Sequence, residues 1–340
     1  MRKLLNILYV TQPEAYISKD GECVVISINQ KEVFRVPAIN IEGIVTFGYM
    51  GCSPGVMRLC MEKNINIVFL SPQGRFIARV QGPQRGNIYL RKAQYSFCDD
   101  KSKRLALSRL LIAAKIRNSR MNILRRIRDY GKDDQLDILC HSLREFQRRA
   151  IVSESEDGLR GLEGYAARIY FEQFNKLLRV EGDFFSFKER SRRPPKDAVN
   201  ALLSFAYTIL TNEIVASLES VGLDAYCGVF HTLRSGRPAL ALDILEEFRS
   251  YMCDRFVISL INRHQIQRKH FIAEDSKSVL LTDEGRRIFI SNWQHRKKEQ
   301  IIHPLLEEKV EIGLLPYIQA QIMARYIRGQ MDEYTPFVVR

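Results

Sequence analysis

The chain has 340 residues, with 52 Lys and Arg against 39 Asp and Glu, and so carries a formal net charge of +13. This length allows one large domain or two unequal domains with an ample core, and the positive excess predicts a polyanionic partner such as nucleic acid or an anionic membrane surface. Seven scattered cysteines without a C-x-x-C pair argue against a disulfide framework or a zinc site and favour a reduced, cytoplasmic protein. We find no apolar stretch near the roughly 18 to 20 residues that span a bilayer, which argues against a membrane protein.

The first 90 residues have the composition and spacing of a β-rich domain. Short segments rich in Val, Ile, Phe and Tyr alternate with turn residues, which is typical of strands. The predicted strands are a first strand within MRKLLNILYV, then ECVVISI, EVFRVPA, GIVTFG, NINIVFL and RFIARVQ. One helix is predicted over 53–64, with Ser53 as its N-cap and Pro54 at its first position. We therefore predict a β-rich N-terminal domain over residues 1–90.

After residue 90 the hydrophobic period changes. Apolar residues recur at spacings of three and four, which predicts long amphipathic helices. These segments are 105–128, 134–150, 158–179, 197–220, 239–261 and 313–328. The fold class expected is thus α+β, with the small β-rich domain followed by a larger all-α C-terminal domain over residues 91–340.

Positive charge is concentrated in one helical segment. Residues 101–128 contain ten Lys or Arg and no Asp or Glu. A solvated basic face would be ordinary, but so many uncompensated cations repel one another, and phosphates neutralise them with release of counterions. We predict that this segment, with a second basic cluster further along, binds DNA. The predicted DNA-binding residues are Lys101, Lys103, Arg104, Lys115, Arg117, Arg120, Arg125 and Arg193.

The stretch GVFHTLRSGRPALALDILEEFR, residues 228–249, combines a histidine with buried acidic residues. Asp243 and Glu246 are three apart and share one face of a helix, whereas Glu247 is rotated away from them. A carboxylate among apolar neighbours needs a cation or a hydrogen bond. Mg²⁺ and Mn²⁺ both favour carboxylate oxygen, and Mn²⁺ also accepts an imidazole, which His231 could supply. An equally open alternative pairs Asp243 with Arg237 or Arg249 and leaves His231 as the cap of a turn.

A third acidic residue lies on another predicted helix. Within residues 157–178, Glu163 shares an inward-facing stripe with Tyr170 and Phe174, whereas Glu172 falls on the surface. The sequence contains no G-x-S-x-G, G-x-x-x-x-G-K-[ST] or H-E-x-x-H motif. Acidic residues, a histidine and a basic segment therefore favour metal-assisted phosphodiester chemistry.

Four segments in order resemble the motifs of one known family. They are GNIYLRKAQY, GLEGYAARIYF, RRPPKDAVNALLSFAYTIL and GVFHTLRSGRPALALDILEEFR. Each is weak alone, but together and in this order they resemble the CRISPR-associated integrase that captures spacers, the first of the numbered Cas protein families. The similarity extends over nearly the whole chain.

This resemblance implies a homodimer formed through the β domain and a metal site in the helical domain. The family's ligands fall on Glu163, His231 and Glu246, holding Mg²⁺ or Mn²⁺, with Asp243 as a further catalytic acidic residue in or near the metal shell. Asn200, Arg193 and Tyr170 also match family positions, where structural or DNA-positioning roles are expected.

The resemblance further implies a metal-dependent DNA endonuclease and integrase. The 3′-hydroxyl of a spacer precursor would attack a phosphodiester of the CRISPR repeat array, in antiviral defence. The implied partners are double-stranded DNA, the second Cas adaptation protein bridging two dimers, and the fourth-family Cas nuclease. The alternatives are a metal-dependent repair or junction nuclease without integration, and a non-catalytic DNA-binding scaffold.

Overall fold

The computed structural model describes residues 6–71, 74, 76–82, 88–180, 182–191, 194–273 and 278–339. Seven strands and one α-helix occupy the described part of the first 80 residues. They are β1 (Ile7–Val10), β2 (Tyr16–Asp20), β3 (Cys23–Ile28), β4 (Lys31–Pro37), β5 (Gly43–Phe47), α1 (Pro54–Lys63), β6 (Asn66–Leu70) and β7 (Phe76–Val80). Each predicted strand and the predicted helix is present, and Ser53 caps α1 by accepting a hydrogen bond from the Val56 amide.

Two sheets form this region. The first has the order β1-β5-β6-β7, in which β1, β5 and β6 are parallel and β7 is antiparallel to β6. Helix α1 makes the crossover between β5 and β6, as a parallel pair requires. The second sheet is the antiparallel set β2-β3-β4. Side chains from both sheets and from α1 share one apolar core, including Ile17, Val24, Ile44, Leu59 and Ile67.

The rest of the described chain is mainly helical. Its helices are α2 (Ile88–Asp99), α3 (Lys101–Tyr130), α4 (Asp134–Ile151), α5 (Glu156–Glu172), α6 (Ala198–Ser220), α7 (Ala239–Phe248), α8 (Arg255–Asn262), α9 (Asp283–Lys298) and α10 (Leu315–Ile327). A π-helical segment, Arg249–Asp254, joins α7 to α8. Two short hairpins also occur here, β8 (Phe271–Ala273) with β9 (Val279–Leu281), and β10 (Gln300–Ile302) with β11 (Lys309–Glu311). The α+β prediction is confirmed, although the sequence did not predict α2, α9 or these hairpins.

Helix α3 is the central element of the helical part. It packs against α2, α4, α5, α7 and the π-helical segment. Its buried residues lie on several sides of the helix, including Leu107, Leu111, Ala114 and Ile116. Because α5 and α7 both rest on α3, residues from three separate stretches of sequence come within reach of one another.

Helix α6 corrects one expectation from the sequence. By length and composition it is apolar enough to cross a membrane, although no such stretch was expected. In the fold, however, 61% of its apolar window is buried, with Leu202, Leu203 and Leu210 fully covered. Its apolar character is therefore that of a core helix, which other elements surround on most sides.

Candidate active site

Asp243 ties the loop that precedes α7 to α7 itself. Its Oδ2 accepts hydrogen bonds from the amides of Val229 (2.6 Å) and Phe230 (3.1 Å), and its Oδ1 accepts one from the amide of His231 (2.9 Å). A Cβ at Gly228 would lie 2.5 Å from Asp243 Oδ2, so this close approach requires glycine. Asp243 therefore fixes the loop through these bonds, and its described contacts do not include the pairing with Arg237 or Arg249 that the sequence left open.

The same carboxylate orients the imidazole of His231. Nδ1 of His231 lies 2.7 Å from Asp243 Oδ1. Because a carboxylate only accepts hydrogen bonds, this contact places a ring proton on Nδ1, so that the neutral form of the imidazole presents the lone pair of Nε2. Nε2 lies 3.9 Å from Glu246 Oε1. A histidine whose second nitrogen is held by a carboxylate in this way is typical of metal ligands.

Glu246 is buried among cations. Its side chain is 3% exposed, and its Oε1 forms an ion pair with the Arg249 guanidinium at 3.1 Å. Burial raises the pKa of Glu246, but the charges of Arg249 and Lys115, and that of His231 when its imidazole is protonated, outweigh burial and lower the pKa to about 2. Glu246 is therefore an anion throughout the neutral pH range.

Lys115 bridges the two predicted glutamate ligands. Its ammonium contacts Glu163 Oε1 and lies 2.7 Å from Glu246 Oε2, while its side chain is only 7% exposed. The sequence assigned Lys115 to a DNA-binding face, but the structure places it inside the site, between α5 and α7. The bridge brings Glu163 and Glu246 together as predicted, and also puts a cation between them, which was not predicted.

The donor atoms suit a hard divalent cation. Two carboxylates and an imidazole nitrogen are the ligand types expected for Mg²⁺ or Mn²⁺. Glu246 Oε2 is buried and, among the described residues, accepts no hydrogen bond of good geometry even though the ammonium is near. In the described ranges, no three His, Cys, Asp or Glu side chains already stand at metal-binding separations. The residues thus fit such an ion chemically, provided that Lys115 gives up its place.

Comparison with known proteins assigns the family. The family model for CRISPR associated protein Cas1 matches residues 8–295. A protein of Chlorobaculum tepidum named CRISPR-associated endonuclease Cas1 1 is 45% identical over 100% of both chains. The chain belongs to the Cas1 family. A Moorella thermoacetica protein with the same name is 40% identical, again over both full lengths.

Other Cas1 relatives differ in what is joined to them. A Geobacter sulfurreducens protein named as a fusion of exonuclease Cas4 with endonuclease Cas1 is 36% identical over 98% of this chain and 60% of its own length. A solved Cas6-RT-Cas1–Cas2 complex matches with 26% identity and a TM-score of 0.83, over 98% of this chain and 36% of that one. A CAS1 protein of Thermotoga maritima, 22% identical with a TM-score of 0.81 over 95% and 97% of the two chains, has the same fold.

The basic segment of this Cas1 chain is less free than its sequence suggests. Although 101–128 contains no acidic residue, residues outside this segment supply partners for its cations. Arg104 pairs with Glu156 of α5 at 2.9 Å, and Asp129 pairs with Arg125 at 3.2 Å and with Arg128 at 3.0 Å. The expectation that these cations are uncompensated is therefore wrong for Arg104, Lys115, Arg125 and Arg128.

Two of the predicted DNA-binding residues on α3 remain well exposed. Lys101 and Lys103 are on its first turn, where Lys103 lies 3.7 Å from Asp100. Arg117 and Arg120 are partly buried on the middle of the helix. Arg193 lies outside the described residues. DNA binding by this group of residues stays a prediction.

Asn200 and Tyr170, the other family positions, are buried. Oδ1 of Asn200 accepts hydrogen bonds from Arg190 (2.6 Å) and from the Ser191 amide (3.0 Å), so it braces the segment that precedes α6. The Tyr170 hydroxyl accepts a hydrogen bond from Asn122 at 3.2 Å. Both side chains support neighbouring segments through these bonds.

Glu247 is a buried carboxyl group that the sequence reading left aside. It is rotated away from Glu246, as predicted, but it is fully buried and accepts hydrogen bonds from the Tyr334 hydroxyl (2.6 Å) and the Phe337 amide (2.5 Å). Burial raises its pKa to about 8, although these hydrogen bonds and one from Gln319 act in the opposite direction. Glu247 thereby fastens the segment after α10 to the helix that carries Glu246. Its position one residue after a predicted ligand was the only sequence signal.

Proposed function

We propose that this chain is a divalent-metal-dependent DNA endonuclease and integrase, which inserts spacer DNA into a CRISPR repeat array. One observation carries the proposal. Glu163 and Glu246, which are far apart in the sequence, both contact the ammonium of Lys115, and Nε2 of His231 lies 3.9 Å from the other carboxylate oxygen of Glu246. Two carboxylates and an imidazole nitrogen, which suit Mg²⁺ or Mn²⁺, thus lie near one another in a member of a family whose relatives are named as endonucleases.

Glu163, Glu246 and Nε2 of His231 are the groups that would hold the ion. Bound there, Mg²⁺ or Mn²⁺ would make the 3′-hydroxyl of the incoming DNA more acidic and neutralise the charge that develops on the attacked phosphate. The nucleophile belongs to DNA, so the chain needs no activated serine or cysteine. The phosphodiester of the repeat would be exchanged for a new phosphodiester, and water in place of the hydroxyl would give hydrolysis.

The other side chains of the site keep this arrangement in place. Asp243 holds the proton on Nδ1 of His231, so that Nε2 stays a ligand atom. Arg249 keeps Glu246 ionised despite its burial. The backbone bonds from Asp243 to the 229–231 loop fix the distance between His231 and α7. Each of these contacts is formed before substrate arrives, which reduces the reorganisation that catalysis requires.

Positioning two DNA segments is the other requirement. Holding two bound DNA strands in line lowers the activation barrier by several kcal/mol, about 7 or more in the best cases, because the entropy of bringing them together is lost on binding. We assign part of this binding to the exposed start of α3, where Lys101 and Lys103 face solvent. Duplex phosphates are the expected partners of these cations.

We also propose that the β-rich region forms a homodimer. β4 is at the edge of its sheet, and its Val33 and Phe34 side chains are 54% and 47% exposed. An exposed edge strand with apolar side chains is a ready surface for pairing.

Through the family, we further propose a cytoplasmic location and partnership with the second and fourth Cas proteins, since relatives occur in a Cas1–Cas2 complex and as Cas4–Cas1 fusions.

The deciding experiment mixes the purified protein with Mn²⁺, a supercoiled plasmid that carries a repeat, and a short duplex with free 3′-hydroxyls. A covalently joined product supports integration. Nicked plasmid without joining would favour a repair or junction nuclease. A DNA-binding scaffold would show no divalent-dependent product of either kind.

Glu163→Gln tests the assignment of the site. We expect at least a hundredfold loss of joined product with DNA affinity retained, because one ligand loses its charge while the shape of the side chain is kept. The matched control is Glu172→Gln, which alters an exposed glutamate on the same helix. Full activity of folded Glu163→Gln protein would remove this residue from the site.

A further inference from the structure

The ammonium of Lys115 occupies the space between two carboxylates that come from different helices. It contacts Glu163 of α5 and lies 2.7 Å from Oε2 of Glu246 on α7. The lysine itself comes from the middle of α3, where its neighbours along the chain, Ala114 and Ile116, are buried. Such an ammonium, removed from water and held by two anions, is built into the fold.

A cation is needed at this point for electrostatic reasons. Two carboxylates that share a site cannot both stay ionised without compensation. Arg249 compensates Glu246 through Oε1, at 3.1 Å, but the described contacts of Glu163 include only one ion pair, that with Lys115. Lys115 is therefore the cation that these two carboxylates share.

A divalent ion held by Glu163 and Glu246 would need the oxygens that the ammonium now holds. The two cations would also repel each other at such short range. Lysine can move away from the carboxylates, because a flexible four-carbon stem carries its charge and the Glu163 side chain is 23% exposed.

We propose that Lys115 is an internal counter-cation, which holds Glu163 and Glu246 together in the metal-free protein and is displaced when the divalent ion binds. The affinity of the site for metal is then set by competition with Lys115. This inference rests on the proposed function, because it requires that these residues bind a divalent ion.

The test compares Mn²⁺ binding by the wild-type protein and by Lys115→Met, followed by isothermal titration calorimetry and by the EPR signal of free Mn²⁺. Methionine keeps the apolar stem and removes the charge. We expect the Mn²⁺ dissociation constant to fall by about tenfold or more, since one unit charge in direct competition is gone. We also expect the metal-free variant to melt at a lower temperature, and Mn²⁺ to raise its melting temperature more than that of the wild type.

Lys297→Met is the matched control. Lys297 is another buried lysine, 2% exposed, and pairs with Glu213 at 2.8 Å between α9 and α6. Its loss should also lower the melting temperature, because a buried carboxylate loses its partner. The Mn²⁺ dissociation constant should stay at the wild-type value.

The outcomes separate this inference from the proposed function. Mn²⁺ binding by the wild type with equal or weaker binding by Lys115→Met overturns the competition and leaves the metal site intact. Absence of Mn²⁺ binding from both proteins overturns the metal site and the competition together. If Lys115→Met does not fold, Lys115→Gln, which keeps a hydrogen-bond donor, takes its place. Its Mn²⁺ dissociation constant is compared with the wild-type value in the same way.

Discussion

Asp243→Asn tests whether this carboxylate acts by holding His231 and its loop. In the structure, Asp243 accepts four hydrogen bonds, from the amides of Val229, Phe230 and His231 and from Nδ1 of His231. Asparagine has a single acceptor oxygen. If that oxygen keeps the place of Oδ2, its amide group faces two donors of His231 and satisfies neither.

The magnitude follows from the bonds that are lost. A hydrogen bond to a charged group contributes about 1.5 to 3 kcal/mol. Both bonds at Oδ1 would be lost if the ring kept its tautomer, but a shift of the ring proton restores a bond at Nδ1, so the free energy of unfolding should fall by about 1.5 to 3 kcal/mol, as measured by urea denaturation. The control is Asp157→Asn, since Asp157 is 94% exposed and its ion pair with Arg160 should contribute little.

The chemical consequence is a change of tautomer. An amide donor opposite Nδ1 favours an imidazole whose proton is on Nε2, and Nε2 can then no longer ligate a metal. We expect ¹⁵N NMR to show this proton shift and calorimetry to show weaker Mn²⁺ binding. The role assigned to Asp243 is refuted if the free energy of unfolding of Asp243→Asn is within about 1 kcal/mol of the wild-type value and the His231 ring keeps its proton on Nδ1.

Two further perturbations test the surroundings of the site. Burial raises the pKa of Asp254 to about 6, despite hydrogen bonding to Tyr207 and the nearby charge of Arg249. Since the folded protein binds this proton more tightly than the unfolded chain does, stability should fall by about 3 kcal/mol as the pH rises from about 4 to 6. Asp254→Asn should lack this part of the pH dependence in urea denaturation, and an identical dependence in both proteins would contradict the assignment. Reversing the charge of Lys101 and Lys103 to Glu should lower the slope of log affinity for duplex DNA against log salt by about 2, if each contacts one phosphate. An unchanged slope would exclude the start of α3 from the DNA interface.

Some elements that the sequence reading missed had local signals. β2 and β3 are joined by the two-residue turn of Gly21 and Glu22, in which Gly21 has a φ of +55°, and glycine at the first position of such a turn is a recognised hairpin signal. α9 begins after Thr282, whose side chain accepts a hydrogen bond from the Gly285 amide, as an N-cap does. The many charged residues of α9 make the helical spacing of its apolar residues hard to recognise. Both were predictable from turn and cap chemistry, and hydrophobic spacing alone did not reveal them.

The site shows a different limit of sequence reasoning. Helical spacing predicted that Asp243 and Glu246 share a face, but spacing cannot tell which donors approach each one. Backbone amides from 229–231 satisfy the first and cations the second. In the same way, the cations of 101–128 counted as unpaired because their partners, such as Glu156 and Asp129, lie outside the segment.

Lys115 did carry a signal, because it follows Ile112, Ala113 and Ala114 on a helix whose other cations have polar neighbours. A lysine surrounded by apolar residues is almost never fully buried unless it is paired, so two or more acidic partners were to be expected nearby. Conversely, the acidic residues 163 and 246 require a cation between them. An ammonium and a divalent ion both satisfy that requirement, and residue types alone cannot choose between them. The choice is one of relative affinity, and it is decided by how tightly Mn²⁺ binds once the lysine charge is removed.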